Sequence, residues 1–224
     1  MIPLRIHTSS NRWSASFVLV IIMSMVHYLV STNELQAATW IEAYGLVPLR
    51  WWSEAAWHTL GPARQLLSLL SYAYLHDDWF HCLFNLWWLI VFGPVVHARF
   101  GSLATFMMYT CAGIGGGVVY ILIVPESISP LVGASANISG LIGAFWVGCR
   151  QDGIRVLGLN KPLHGGRFMA LFLCVQIALA LVYTQHNMGV AFVSHVIGCV
   201  VGVLVALSYS RDEVNLQTEI LERS

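Results

Sequence analysis

The chain has 224 residues, of which 57% are hydrophobic and only 10% charged, with a mean hydropathy of +0.70. A soluble domain carries about a quarter charged residues, so this composition excludes an ordinary water-soluble fold and points to an integral membrane protein. The formal net charge of zero supplies no electrostatic footprint for a nucleic-acid partner.

Six apolar segments, at about 14–30, 79–97, 103–124, 135–149, 168–184 and 190–209, contain no Asp, Glu, Lys or Arg and are long enough, or nearly so, to cross a hydrocarbon core of about 30 Å. The expected fold class is therefore all-α, a polytopic bundle of six transmembrane helices. Residues 14–209 form one membrane domain between cytoplasmic tails at 1–13 and 210–224. Arg5 and Arg12 ahead of the first segment give it the look of a signal peptide. It is longer than a signal core and no small-x-small cleavage site follows, so it is expected to stay as a span.

The 31–78 stretch is not a simple connector. "TWIEAYGLVPLRWWSEAAWH" mixes tryptophan with scattered charge, as expected of a segment lying in the membrane interface, and "RQLLSLLSYAYLH" is too short and interrupted to span. The residues after Tyr209 are polar, with the pattern of a short amphipathic helix. Nine of the eleven basic residues (Arg5, Arg12, Arg99, Arg150, Arg155, Lys161, Arg167, Arg211, Arg223) fall on one side of this layout, against Arg50 and Arg64 on the other. The positive-inside rule then puts both termini in the cytoplasm, in the inner membrane if the host is bacterial.

Polar groups inside a bilayer are expensive, so each calls for a packing or a chemical reason. Ser135, Ser139 and Gly143 follow i, i+4, i+8 with Gly140 beside them, which lines one helix face. Such a stripe lets two helices approach closely. It does not account for Gly133-Ala134-Ser135 at the helix entrance, where a serine nucleophile would have its own backbone N–H available to an oxyanion. In the last segment His195, Gly198 and Gly202 share a face at i, i+3 and i+7. His195 serves either as interhelical glue or as a neutral general base. His81 and Asn85, at i and i+4, either bond neighbouring helices or supply two donors for negative charge. His76, Asp77 and Asp78 lie at the boundary and are expected to be solvated.

No acidic residue lies within a span to orient His195, so the constellation is a Ser–His dyad rather than a triad. Cys82, Cys111, Cys149, Cys174 and Cys199 stand in apolar stretches without metal-ligand spacing, and are read as small buried apolar residues. No metal and no cofactor is expected.

Three elements, "LHDDWFHCLFN", "GASA" opening the fourth segment and "HVIGCVVG" in the sixth, resemble the HxxxN, GxSx and HxxGxxxG elements of the rhomboid intramembrane serine proteases. The resemblance covers about 64–208. It implies Ser135 as nucleophile, His195 as base, and His81, Asn85 and the Ser135 N–H as the oxyanion site. It implies Gly198 and Gly202 packing the sixth segment against the fourth, while Gly133, Gly140 and Gly143 are expected in close helix packing as small residues. The 125–134 loop would offer a backbone edge to an extended substrate, and "TQHNMGV" a cap with Met188 as an apolar plug. Substrates would be transmembrane segments with small residues at the scissile bond and helix breakers below it.

The chain departs from the family pattern at four points. Ala136 follows the serine where glycine is common. Ser139 stands where an aromatic ring often stacks on the catalytic histidine, so something else must orient His195. His97 replaces a common glutamate, and the Trp-Arg pair of the first loop is not intact at Arg64. Two other readings compete with a protease. A catalytically silent rhomboid-like protein would bind membrane clients, and a small transporter would need ionisable groups nearer the midplane. A sorting peptidase acting on C-terminal anchors is not separated from a general protease by these residues.

Overall fold

The computed structural model describes residues 14–149, 153–154, 163–182 and 188–222. Helix α1 covers Ser14–Ser31. Four short helices follow, α2 (Glu34–Tyr44), α3 (Pro48–Trp52), α4 (Glu54–Leu60) and α5 (Pro62–Ser71), then a 3-10 turn at Tyr72–Tyr74. The long helices are α6 (Trp79–Ile123), α7 (Ser135–Cys149), α8 (Gly165–Val182) and α9 (Met188–Glu222). A two-residue antiparallel pair, β1 (Gly153–Ile154) with β2 (Leu163–His164), lies between α7 and α8. The fold is otherwise helical, as the sequence implied.

Helix α6 is two helices, 79–100 and 102–123, broken at Gly101 where φ is 80° and ψ 174°. That φ is open to glycine and strained for other residues. The second and third apolar segments are therefore antiparallel neighbours joined by a single-residue hinge. Thr105 Oγ1 donates to the Gly101 carbonyl at 2.7 Å, which fixes the start of the second half. Just before the hinge His97, buried at 3% exposure, has its Nδ1 3.4 Å from Ser102 Oγ.

Among the described residues, three helical runs, the two-part Trp79–Ile123, Gly165–Val182 and Ala191–Tyr209, are long and apolar enough to cross a membrane. Ala15–Ser31 is a shorter apolar helix, and α7 spans fifteen residues. Large apolar side chains cover the outside of these helices, among them Phe17, Ile21, Phe80, Trp87, Leu171 and Leu204. Outward-facing leucine and phenylalanine in such density suit hydrocarbon rather than water. The protein is an integral membrane protein.

Helix α7 sits in the middle, packed on α6 and α9. Glycine makes this possible. A methyl on Gly198 would overlap the Ala136 carbonyl, one on Gly202 the Gly140 carbonyl, and one on Gly143 the Cys199 carbonyl. Backbones in contact at three successive turns give the dispersion attraction that holds membrane helices together without a hydrophobic effect. The apolar core extends from this seam through Leu141, Met108 and Leu89 to Leu19 and Met23 of α1.

The 31–78 stretch wraps one end of the bundle. In α5 the polar Gln65 and Ser68 are buried, while Leu66, Leu67 and Leu70 are exposed at 55%, 46% and 42%. This inside-out helix presents its apolar face away from the protein, as a segment lying in lipid does. The loop preceding α7 is tied to the same layer. Leu46 and Leu131 exchange backbone hydrogen bonds of 3.1 and 2.9 Å, and Leu49 N–H donates to the Ser127 carbonyl at 3.0 Å.

Helix α9 continues past Tyr209 to Glu222, so the polar tail extends the last helix. Residues 1–13, most of the loop carrying Arg150, Arg155 and Lys161, and the segment containing Gln185 and His186 lie outside the described residues, as does the Met188 side chain.

Candidate functional site

Ser135 is the first residue of α7. The first ladder bond of that helix is donated by Ile138 N–H to the Ala134 carbonyl at 2.9 Å, so the Ser135 N–H precedes the ladder. Gly133 brings the chain into the helix with φ of 108°, a conformation that favours glycine. A side chain at Gly133 would collide with the His81 imidazole and approach Asn85 Nδ2. The glycine thus works at the entrance of α7 rather than in a helix seam, leaving room for two of the candidate donors.

Across the α7–α9 seam, His195 Nε2 lies 2.7 Å from Ser135 Oγ. The close approach at Gly198, one turn further along α9, sets that distance. Its carbonyl neighbour Ala136 is the residue after the serine, and no side chain separates the two backbones. Ala136 itself is 3% exposed and abuts Gly116 of α6, which accommodates the methyl that family glycine would lack.

The other ring nitrogen, His195 Nδ1, is 2.8 Å from Oε1 of Gln176 on α8. An amide oxygen accepts there, so Nδ1 carries the proton and Nε2 presents a lone pair to the serine hydroxyl. Phe192, one turn earlier on α9, meets the His195 ring edge-to-face with centroids 5.5 Å apart. Two groups therefore orient the histidine that Ser139 leaves without an aromatic partner. Ser139 points elsewhere, its Oγ donating to the Ser135 carbonyl at 2.7 Å.

The sequence reading passed over both Gln176 and Phe192. Gln176 is the one amide in α8, and a polar side chain in an apolar span is a signal in itself.

His81 and Asn85 stand on the first two turns of α6. Asp78 caps that helix, its Oδ1 accepting from His81 N–H at 2.7 Å. Asn85 is 3% exposed and uses one amide proton on the His81 carbonyl at 3.1 Å. Its second amide proton is available to a ligand. Asp77 is not merely solvated, as expected, but approaches His81 Nδ1 to 2.5 Å. The His81 hydrogen bond holds the Asp77 carboxyl below its usual range. With Nδ1–H engaged by Asp77, His81 donates from Nε2 only when the ring carries both protons.

His76 also departs from expectation. It is 2% exposed rather than solvated, and burial, with smaller contributions from the His81 and His27 rings, pushes it down to about 3. Among the cysteines, Cys82 and Cys199 are buried as expected and Cys111 is half-buried, whereas Cys174 faces outward from α8. Arg64, without a tryptophan partner, donates to the Ala43 carbonyl at 3.2 Å and lies over the Tyr44 ring.

A family model described as "Rhomboid domain" matches residues 63–212. Among curated proteins, the chain is similar to "RHOMBOID-like protein 6, mitochondrial" of Arabidopsis thaliana, with 31% identity over 89 residues, 40% of this chain and 28% of that protein. It is also similar to "RHOMBOID-like protein 2" of the same plant, with 36% identity over 85 residues, 38% of this chain and 26% of that one. The chain thus matches about a quarter of the length of each curated relative.

Proposed function

Because the chain belongs to the rhomboid family, we propose that it is an intramembrane serine endopeptidase cleaving the transmembrane segments of other membrane proteins. The observation that carries the reading is the Ser135 Oγ–His195 Nε2 pair at 2.7 Å, backed by Gln176 at 2.8 Å. A packing histidine needs no serine at hydrogen-bond distance and no second group fixing its tautomer.

In this reading His195 Nε2 takes the Ser135 proton as the oxygen attacks the scissile carbonyl, and Gln176 holds the resulting imidazolium in place. The Ser135 N–H, Asn85 Nδ2 and His81 Nε2 face the developing oxyanion. Collapse of the tetrahedral intermediate returns the proton from His195 to the leaving amine. Water then hydrolyses the acyl-enzyme with His195 again as base, so protons balance over the cycle and no cofactor takes part.

A helical substrate hides its carbonyls in its own hydrogen bonds and must unwind first. Leu131 spends both backbone groups on Leu46. Along an extended strand, Pro130 and Val132 then face the opposite edge, which is open to a substrate strand. We read 14–209 as one membrane domain with both termini cytoplasmic, so that Ser135 opens toward the other side.

The test is cleavage of a reporter transmembrane substrate by purified protein in liposomes, with fluorophosphonate labelling of Ser135 as an independent readout. Cleavage and labelling that both vanish in folded Ser135→Ala and His195→Ala support the protease. A wild type that neither cleaves nor labels favours the silent client-binding relative. One observation leans that way: His81 Nδ1 is engaged by Asp77 rather than facing the site.

A further inference from the structure

We propose that His27, His76 and Cys82 form a binding site for a single transition-metal ion of the zinc type, joining α1 to the start of α6. The sequence spacing of these residues contains no metal signature. The fold assembles them from three separate segments: the last turns of α1, the connection after the 3-10 turn, and the first turn of α6. One donor atom from each, an imidazole nitrogen from His27 and His76 and the Cys82 sulfur, lie within 4.8 Å of one another.

Three further observations support a ligand at this cluster. All three residues are buried, at 2%, 2% and 0% exposure. Neither ring nitrogen of His27 reaches a hydrogen-bond partner. His76 has only the Tyr74 carbonyl nearby, without a well-formed bond. A buried imidazole left unpaired keeps its full desolvation penalty, and two facing each other compound this. A metal ion satisfies one nitrogen on each ring at once.

The donor set decides the class of ion. Two imidazoles and a thiolate suit Zn(II), Co(II) or a similar borderline-soft ion, and disfavour Mg(II) or Ca(II), which want oxygen. A tetrahedral zinc with bonds of about 2.0–2.3 Å spaces its ligand atoms about 3.3–3.8 Å apart. The observed spread closes to that with side-chain adjustments of about 1 Å. Trp79 walls the cluster, its ring 4.5 Å from His27 and edge-on to it. The fourth position is left to water or an added ligand. The ion would stiffen the Asp78-capped turn that carries His81, whose ring lies 4.9 Å from His76.

The competing account is a purely aromatic cluster, in which His27, His76, His81 and Trp79 pack edge-to-face and no ion enters. The two are separated by metal titration of the full chain, purified in detergent micelles without a polyhistidine tag and stripped by chelator. The expected result is one Co(II) per chain, with tetrahedral d–d absorption and a thiolate-to-cobalt charge-transfer band. Zn(II) should displace the cobalt and raise Tm. Cys82→Ser, nearly isosteric, should abolish the charge-transfer band, and it and His27→Gln should each weaken zinc binding by more than about tenfold. Cys199→Ser, a buried thiol elsewhere, should leave both unchanged. Absence of stoichiometric cobalt or zinc binding by the stripped wild-type protein overturns the site. So does unaltered binding by folded Cys82→Ser and His27→Gln. Neither readout uses proteolysis, so failure here leaves the proposed activity standing, and the converse holds.

Discussion

Replacing Gln176 by leucine tests whether the third group behind the dyad matters. The side chains are close in volume, so packing of α8 against α9 should survive, while the 2.8 Å bond to His195 Nδ1 is lost. In the resting enzyme that bond is neutral and is worth about 0.5–1.5 kcal/mol. During serine attack the ring becomes an imidazolium in a low-dielectric site. The bond is then charge-assisted and worth about 1.5–3 kcal/mol. Only the difference between the two, about 1–1.5 kcal/mol, appears in kcat, which at about 1.4 kcal/mol per tenfold should fall about 5- to 12-fold with little change in KM. That is far less than the roughly 10⁴-fold associated with an aspartate in this role, because an amide bears no full charge. Phe192 should keep the ring from swinging free, which also limits the loss. The assay is reporter cleavage in liposomes, with fluorophosphonate labelling rate and Tm measured on the same samples. Gln176→Glu, which keeps an acceptor of the same reach, should restore most of the rate, and Gln176→Asn, one methylene shorter, should not. A leucine variant that cleaves and labels at wild-type rates would refute the positioning role. So would loss of activity that only tracks loss of Tm across all three substitutions.

Ser135→Ala and His195→Ala should each lower cleavage by at least about 10³-fold and abolish labelling, without additivity in the double variant, since the two act as one unit. Asn85→Ala should reduce kcat by about tenfold to a few hundredfold while sparing KM, as expected of a donor used only in the transition state, read from the same kinetics. Gly202→Ala should destabilise by about 1–3 kcal/mol in denaturant titration and lower activity with it, because its methyl would occupy the Gly140 carbonyl position across the α7–α9 seam. Gly101→Ala meets open space. It should show only the backbone strain of about 1–2 kcal/mol and retain cleavage once folded.

Much of the site is legible in the sequence because membrane helices expose their exceptions. Ser135, His81, Asn85 and His195 are polar where polarity is expensive, and the glycines at 198 and 202 announce a close seam. Spacing along a helix cannot say which helix lies opposite. Gln176 therefore went unweighed although it too is an exception, since its value depends on α8 delivering it to the far side of the His195 ring. His76 departs for the opposite reason. Polar residues beside a span are usually solvated, as the exposed Asp77 largely is, but the His76 ring is buried against His27 and His81. The hinge at Gly101 is likewise invisible, because a single glycine between apolar segments reads the same whether it bends a helix or begins a loop.

The inside-out helix α5 bears on where the proposed protease would cut a substrate. Its leucines are exposed on the outer face, fit to lie in one leaflet, while Gln65 and Ser68 hold the bundle side. The residue next to α5 transmits that level inward: Tyr72 Oη donates to the Gly113 carbonyl at 2.7 Å, and the Tyr72 carbonyl accepts from Gly133 N–H at 2.9 Å, two residues before the serine. Ser135 is thereby moored to a float. With α5 lying in the interface, its depth would be gauged from the near membrane surface and not from the middle of the bilayer or the far side. A thicker or thinner membrane would then shift the opposite ends of the helices and leave the waterline of the dyad where α5 sets it.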